Sequence, residues 1–437
     1  MTTTFAPLTT LPAPAGYKAG DVLFLCGELF GRGYANGIVD EARAAGMTVI
    51  GATVGRRDGD GTLRPLTAEE LAEAEANLGG RIINVPLEAG FDMEPGDDGL
   101  SPADRLKGAK PDDWATVPFS DDEIAGWRAK GAARFKGNLA QVVAKLEQLV
   151  PAGANVLFVH TMAGGIPRAR FFMPLLNRVF KGTGDKYLPS ERFWNSPVGK
   201  LCSASFDEVT ADTFRHLLEA TAVLRERTVA GGGTANYVAY GYHGCEVLID
   251  GAYRWQSYTP YLQGWAKMRL EEIAAEAWKK GIGATVFNCP EIQTNSSALF
   301  LGVEISLYPL LSALEREGGG PVADEIRKRC AALLKEGASL DTLLKQANSY
   351  LASPLLAGFG ELAAWPHHNT QEQAELMLDC SARLLGMNSD PKNVVCAELS
   401  RAVFKGVGRL MFDCSWQPQA PVLWLGHSII ARRLVSA

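Results

Sequence analysis

Apolar positions along the chain fall into short continuous runs separated by amphipathic stretches. Asp21 to Cys26 reads D-V-L-F-L-C, and such a run with no polar alternation after its first residue suits a strand covered on both faces. A helical pattern follows from Ala35 to Gly46, and a second strand from Met47 to Val54. The alternation continues with a helix over Ala68–Leu78 and a strand over Arg81–Pro86. Ser120 and Glu123 are spaced as N-cap and third residue of a capping box, starting a helix that runs to Val150 with a break expected near Gly131 and Gly137. Next come a strand over Ala154–Val159, a long helix over Phe206–Val229 and a strand over Ala235–Tyr242. A helix to about Lys280, a strand over Ala284–Asn288 and a helix over Leu299–Leu314 follow. From Pro321 helices dominate, at 321–335, 339–350, 370–386 and 392–405, and Leu410–Cys414 and Pro421–Leu425 are candidates to return one or two strands to the sheet.

Strands alternating with helices predict an α/β fold: Rossmann-like, doubly wound, a mostly parallel sheet with helices on both faces and an added helical C-terminal part. The expected organisation is an extended arm at 1–20, a nucleotide-binding and catalytic domain at 21–320 with a long insertion at about 55–118, and a mainly helical extension at 321–437 packed on the same domain.

Composition narrows the function. With 437 residues, 47% apolar and 21% charged, the chain is an ordinary globular protein, and a net charge of −6 gives no footprint for nucleic acid. Its eight cysteines are scattered without C-x-x-C or Cys/His spacing, so no metal is expected and reduced thiols in a cytoplasm are the reading. The first twenty residues lack the basic start and apolar core of a signal peptide, and no apolar run reaches membrane-spanning length. There is no P-loop, no G-x-S-x-G and no H-E-x-x-H, which leaves triphosphate, hydrolase and zincin chemistry without support.

Candidate chemistry sits where strands end. Gly27, Gly31 and Gly33 follow the first strand as G-x-x-x-G-x-G; the first would make a tight turn, the others would let backbone approach a pyrophosphate at the next helix's N-terminus. A structural βα turn is the plain alternative. The second strand runs into Arg56, Arg57 and Asp58, where arginine suits a ribose 2′-phosphate and an acid suits a free 2′-hydroxyl. Met162, Ala163 and Gly164 give room for a nicotinamide ribose after the fourth strand, and His160 before them is a tempting base that is more often structural. Arg168 to Arg192 is the most basic segment, a dock for an acidic carrier or a solvated face. Tyr258 and Lys267, with eight residues between them, stand at a helix entrance after a strand that ends at Tyr242. A phenol beside a fixed ammonium is a donor able to polarise a carbonyl. Pro290, Thr294, Ser296 and Ser297 follow the sixth strand, placed to cover a carboxamide and wall a substrate.

These features stand in the order used by short-chain dehydrogenases/reductases, whose T-G-x-x-x-G-x-G turn the segment Cys26–Gly33 resembles, with cysteine for threonine. The Tyr/Lys spacing resembles the V-type enoyl-acyl-carrier-protein reductases and trans-2-enoyl-CoA reductases. Val238–Glu246 (V-A-Y-G-Y-H-G-C-E), Gly264–Lys267 (G-W-A-K), Gln293–Ala298 (Q-T-N-S-S-A) and Pro118–Asp121 (P-F-S-D) are similar to segments of that family. The chain looks closer still to the divergent, triclosan-tolerant enoyl reductases of metagenomic origin. The resemblance covers roughly residues 20–320. It implies reduction of the C2–C3 double bond of a 2-enoyl thioester, carried by acyl carrier protein or CoA, with NADH as coenzyme and NADPH left open by the arginine pair. It assigns Tyr258 and Lys267 as the catalytic pair with Tyr242 in support. Gly27, Gly31, Gly33, Arg56, Arg57, Met162, Ala163, Gly164, Lys267, Pro290 and Thr294 become the cofactor site, and Tyr261, Ser296 and Ser297 the substrate wall. About six residues more than the V type stand between Tyr242 and Tyr258, so Tyr242, Tyr253 and Tyr261 all remain candidates for the second phenol. A short-chain carbonyl reductase and a non-catalytic nucleotide sensor are the alternatives.

Overall fold

The computed structural model describes residues 5–31, 33–257, 262–294, 302–362 and 366–436. Seven strands form one sheet: β1 (Val22–Cys26), β2 (Thr48–Thr53), β3 (Arg81–Pro86), β4 (Val156–His160), β5 (Ala235–Gly241), β8 (Ala284–Asn288) and β9 (Val422–Trp424). Their order is β3-β2-β1-β4-β5-β8-β9, and every pairing is parallel. β1, β4 and β8 are buried along their whole length, which is why they read as unbroken apolar runs. The doubly wound parallel fold expected from the sequence is what forms.

The strand order reverses between β1 and β4, the switch point at whose carboxyl end open α/β sheets bind ligands. The two turns there lie against each other. Thr161 donates its amide and its hydroxyl to the Cys26 carbonyl, at 3.0 and 3.1 Å. Gly27 sits at φ +128°, and a β-carbon on it would stand 2.3 Å from the Thr161 hydroxyl oxygen. Only glycine fits.

Several boundaries differ from the sequence pattern, each for a visible reason. Helix α3 (Asp121–Leu149) is continuous after α1 (Ala35–Ala44) and α2 (Ala68–Leu78); Ser120 and Glu123 form the expected capping box. Gly131 does not break it, because the absent side chain makes room for Phe91, whose Cβ would be 2.5 Å from one on Gly131. The helix expected over 206–229 starts earlier, at Pro197, and is interrupted by a π-helical turn at Glu208–Asp212. That turn buries two carboxyl groups, which are met by Arg128, His216 and Arg269. The helix expected over 299–314 is, in its described part, a 3-10 turn at Val303–Leu307 and a helix at Leu310–Arg316, separated at Pro309. Between Tyr242 and Tyr258 lies an antiparallel hairpin, β6 (Gly244–Ile249) and β7 (Ala252–Ser257). Asp250 and Gly251, both at positive φ (47° and 77°), make its two-residue turn, and this Asp-Gly pair is the signal that announces it.

The C-terminal part is built into the sheet. Helix α4 (Leu262–Lys279) carries the chain towards β8, and helix α5 (Val395–Trp416) towards β9. Leu410–Cys414 is not a strand: it lies inside α5. Phe412 and its neighbours are buried on all sides there, and a segment buried all round loses the period that tells helix from strand. Val422–Trp424 does return to the sheet, beside β8. α5 packs on α1 through facing glycines. A β-carbon on Gly37 would stand 2.1 Å from the Phe404 carbonyl oxygen, and one on Gly408 would stand 2.2 Å from the Gly37 carbonyl carbon. The N-terminal arm lies along β9, with Leu8 donating to the Trp424 carbonyl at 2.9 Å and Phe5 packed on Trp255 and Trp424.

Gly37→Val should force the two helices apart and destabilise the protein by about 1–3 kcal/mol. Urea unfolding measures this; an unchanged midpoint would show that the helices meet elsewhere.

Candidate active site

Lys267 lies on α4, 1% exposed, with its ammonium nitrogen 5.5 Å from the centre of the Tyr242 ring. Tyr242 follows β5 directly and belongs to a cluster of three tyrosines. The Tyr34 ring stacks on Tyr240 at 5.5 Å and tilts against Tyr242 at 5.9 Å. Tyr34, the residue before α1, donates its hydroxyl to the carbonyl of Pro290, in the turn after β8. One phenol therefore ties the glycine turn to the proline turn across the mouth of the switch point. Sequence reading missed Tyr34; its place at the start of the helix after the glycine turn is the signal that could have found it.

Burial sets the proton inventory. Desolvation brings Lys267 down to about 7, with Cys289 opposing. Desolvation, then the nearby Glu291 carboxyl, holds the Tyr242 phenol well above its ordinary value. Low polarity around Tyr242 thus keeps its proton in place, and it stands as a neutral donor. Glu291 is itself pushed up to about 8 by burial and Glu304. His160 is held well below 6.5 by burial and by Lys267. Its Nε2 pairs with the Thr213 hydroxyl at 2.8 Å, which makes it a neutral anchor of the strand end.

Three strand and helix ends are locked behind the pair. Glu271 stands one turn after Lys267 on α4 and is 2% exposed. Its Oε1 accepts from the Asn288 amide nitrogen at 2.7 Å and from His243 Nδ1 at 3.1 Å, which places the ring proton on Nδ1. Asn288 Oδ1 in turn accepts the His243 backbone amide at 2.9 Å. Gly241 is required beside it, since its β-carbon would stand 2.3 Å from Asn288 Oδ1. The triangle fixes the ends of β5 and β8 on the helix that carries Lys267, and so aims Tyr242.

The expected cofactor residues follow the carboxyl ends of β1, β2, β4 and β8. Gly31 and Gly33 face space: nothing lies within 4 Å of a β-carbon on either. Asn36 donates to the carbonyls of Phe30 and Gly33, at 2.9 and 3.0 Å, and α1 begins without a side-chain cap or an acidic first turn. An uncapped helix start beside open glycines fits a diphosphate. Met162 is buried, Ala163 exposed, and Gly164 sits at φ +94° with open space over it. Thr294 is half-buried next to Gln293, whose amide donates to Ser400 on α5 at 2.8 Å. Arg56 and Arg57 do not point as free cations: Arg56 pairs with Glu28, and Arg57 with Glu88. Tyr253 donates to Glu317 at 2.7 Å under the Arg316 guanidinium, so its phenol is engaged there. Tyr258, Tyr261, Ser296 and Ser297 lie outside the described residues.

The model of a protein family described as "Enoyl-acyl carrier protein reductase FabMG" matches residues 4–434. The chain belongs to the FabMG family of enoyl-acyl carrier protein reductases. Two solved structures are similar to it. An apo FabMG, described as a novel type of enoyl-acyl carrier protein reductase, is 50% identical with a TM-score of 0.94, over 99% of this chain and 97% of that one. An NADH-bound FabMG is 41% identical with a TM-score of 0.79, and each chain is covered in full (100%). No curated protein matches. The FabMG match spans the sheet, the hairpin and the C-terminal helices, where the sequence resemblance stopped at about residue 320.

Two results are expected of this site. Lys267→Met removes a buried ammonium, so it should abolish turnover yet melt higher than the wild type near pH 6. The sign comes from linkage: with a folded value of about 7 against an ordinary 10.5, the lysine's contribution is present above about 10.5 and lost as pH falls through 7. The difference in melting temperature should therefore shrink as pH rises from 7 towards 10; a variant that melts lower at every pH would refute the desolvation. Glu271→Ala should lose about 1–3 kcal/mol of stability by orphaning two buried donors. Glu271→Gln, whose amide oxygen can accept both bonds, should keep most of it in urea unfolding.

Proposed function

We propose that this chain reduces the C2–C3 double bond of a 2-enoyl thioester carried by acyl carrier protein, with NADH as coenzyme. NADH, when bound, supplies the hydride that adds at C3. The residues of the chain act at the other end of the conjugated system. Tyr242, a neutral phenol, donates a hydrogen bond to the thioester oxygen as negative charge develops there, and low surrounding polarity strengthens that bond. Tyr258 shares this role by the family spacing. Lys267 supplies positive charge beside the rings and a donor for the nicotinamide ribose.

The open glycines at the uncapped start of α1 would hold the diphosphate, Met162, Ala163 and Gly164 would serve the ribose, and Pro290 and Thr294 the carboxamide. The family resemblance assigns Tyr261, Ser296 and Ser297 to the acyl chain. The carbonyl of Pro290 is held by Tyr34, so the covering turn is placed before any ligand arrives. The helical part after residue 320 works as one unit with the rest, because α5 carries both α1 and the Pro290–Thr294 turn. Its place of action is the cytoplasm. The observation that carries the reading is the buried ammonium 5.5 Å from the Tyr242 ring, at the carboxyl end of a doubly wound sheet whose family is that of an enoyl reductase.

The test is nicotinamide oxidation with an enoyl-carrier thioester, crotonyl-CoA and acetoacetyl-CoA in parallel. The enoyl substrates should turn over and the keto substrate should not. Tyr242→Phe should lower kcat/KM by about 10²-fold or more and Lys267→Ala at least as much. Turnover of acetoacetyl-CoA alone would move the chain to carbonyl reduction.

A further inference from the structure

The arginine pair after β2 promises, on sequence, a grip on a 2′-phosphate. The structure pairs both guanidiniums with carboxylates of the chain. Arg57 donates from Nε to Glu88 at 2.6 Å and from Nη1 to the Gly61 carbonyl at 2.5 Å. Arg56 lies two-pronged on Glu28, Nη2 to Oε1 at 2.7 Å and Nη1 to Oε2 at 3.0 Å. Asp58, the next acid along the chain, pairs with Arg64 at 2.9 Å.

Glu28 is the unexpected partner. It comes from the glycine turn after β1, directly after Gly27, and crosses to the end of the neighbouring strand. There Thr53, the last residue of β2, donates its hydroxyl to Oε2 at 3.1 Å. In doubly wound folds this strand end is where an acid accepts the adenosine ribose 2′-hydroxyl or an arginine accommodates a 2′-phosphate. The chain has no acid of its own at the end of β2, and Glu28 brings one there from the adjacent turn.

We propose that Glu28, held by Arg56 and Thr53 at the carboxyl end of β2, reads the adenosine ribose and selects the coenzyme that lacks a 2′-phosphate. This rests on the NADH reading and names the residue responsible for it. A carboxylate offers about four acceptor directions. Among the described residues, Arg56 and Thr53 take two on Oε2 and Arg56 takes one on Oε1, so one direction on Oε1 faces a ribose hydroxyl. A 2′-phosphate finds the opposite. To grip it, Arg56 would have to leave a carboxylate whose side chain is 6% exposed, stranding that charge beside a dianion. Attraction for the hydroxyl and repulsion of the phosphate both come from one side chain.

The experiment measures binding of ADP and of 2′,5′-ADP by calorimetry, and kcat/KM with NADH and NADPH, on wild type, Glu28→Gln and Arg56→Met. The wild type should favour ADP and NADH. Glu28→Gln releases Arg56 and removes the repulsion, so the 2′,5′-ADP-to-ADP and NADPH-to-NADH ratios should both rise by about 10- to 100-fold. Arg56→Met leaves the carboxylate without its cation, and both ratios should fall below those of the wild type. Unchanged ratios in a folded Glu28→Gln protein would overturn the proposal. If that variant does not fold by circular dichroism, an Arg56→Met ratio that rises or stays constant overturns it instead. Wild-type turnover with NADPH alone would refute the NADH reading itself, whereas wild-type turnover with NADH and unmoved variant ratios would refute only the role of Glu28.

Discussion

An ammonium held out of water is the constraint around which the site is arranged. Lys267 has almost no solvent contact, and its proton is correspondingly weakly held. Such a group is costly to keep charged out of water, which is why its proton leaves so readily. Here an aromatic face and a second buried layer surround it. Tyr242 offers its ring, and Glu271 one turn along the helix fixes the two strand ends that face the lysine. The same dryness keeps the Tyr242 phenol protonated. A base-weakened lysine and an acid-weakened phenol are thus two results of one cause, and together they leave a neutral donor next to a responsive charge.

The walls of this dry site come from distant parts of the chain. Tyr34 joins α1 to the turn after β8, and Ser400 on α5 receives that turn's Gln293 amide. His243 packs between Trp255 of the hairpin and Trp424 of the edge strand, at 5.8 and 5.1 Å between ring centres. The hairpin inserted before α4 therefore braces the residue next to Tyr242 from outside. Sheet, hairpin and C-terminal helices share one packing unit around the strand ends.

What the sequence made legible was whatever depends on local pattern. Strands buried on both faces announce themselves as apolar runs, and the glycine turn after β1 by its residues. Lys267, Tyr242 and the 290–294 turn were placed by their position after strand ends and by family resemblance. Partnerships between distant residues were not legible. Arg56 and Arg57 look like free cations until Glu28 and Glu88 are folded against them. Glu271, Asn288 and His243 look like three unrelated polar residues, because their bonds span three separate elements. Leu410–Cys414 was misread because it is buried all round and shows no period. The Asp250-Gly251 hairpin was legible and overlooked.

The contact of Gly37 with Gly408 has a consequence for how the protein comes into being. Helix α1 leaves the ribosome long before α5, the surface it must lie on. The arm before β1 is in the same position, since its bond is to Trp424. During synthesis the early strands wait with one flank of α1 uncovered and the sheet edge unfinished. Contacts of such sequence separation form slowly and leave apolar surface open meanwhile. A pair of glycines thus makes an early-made helix wait for a late-made one before its packing is complete.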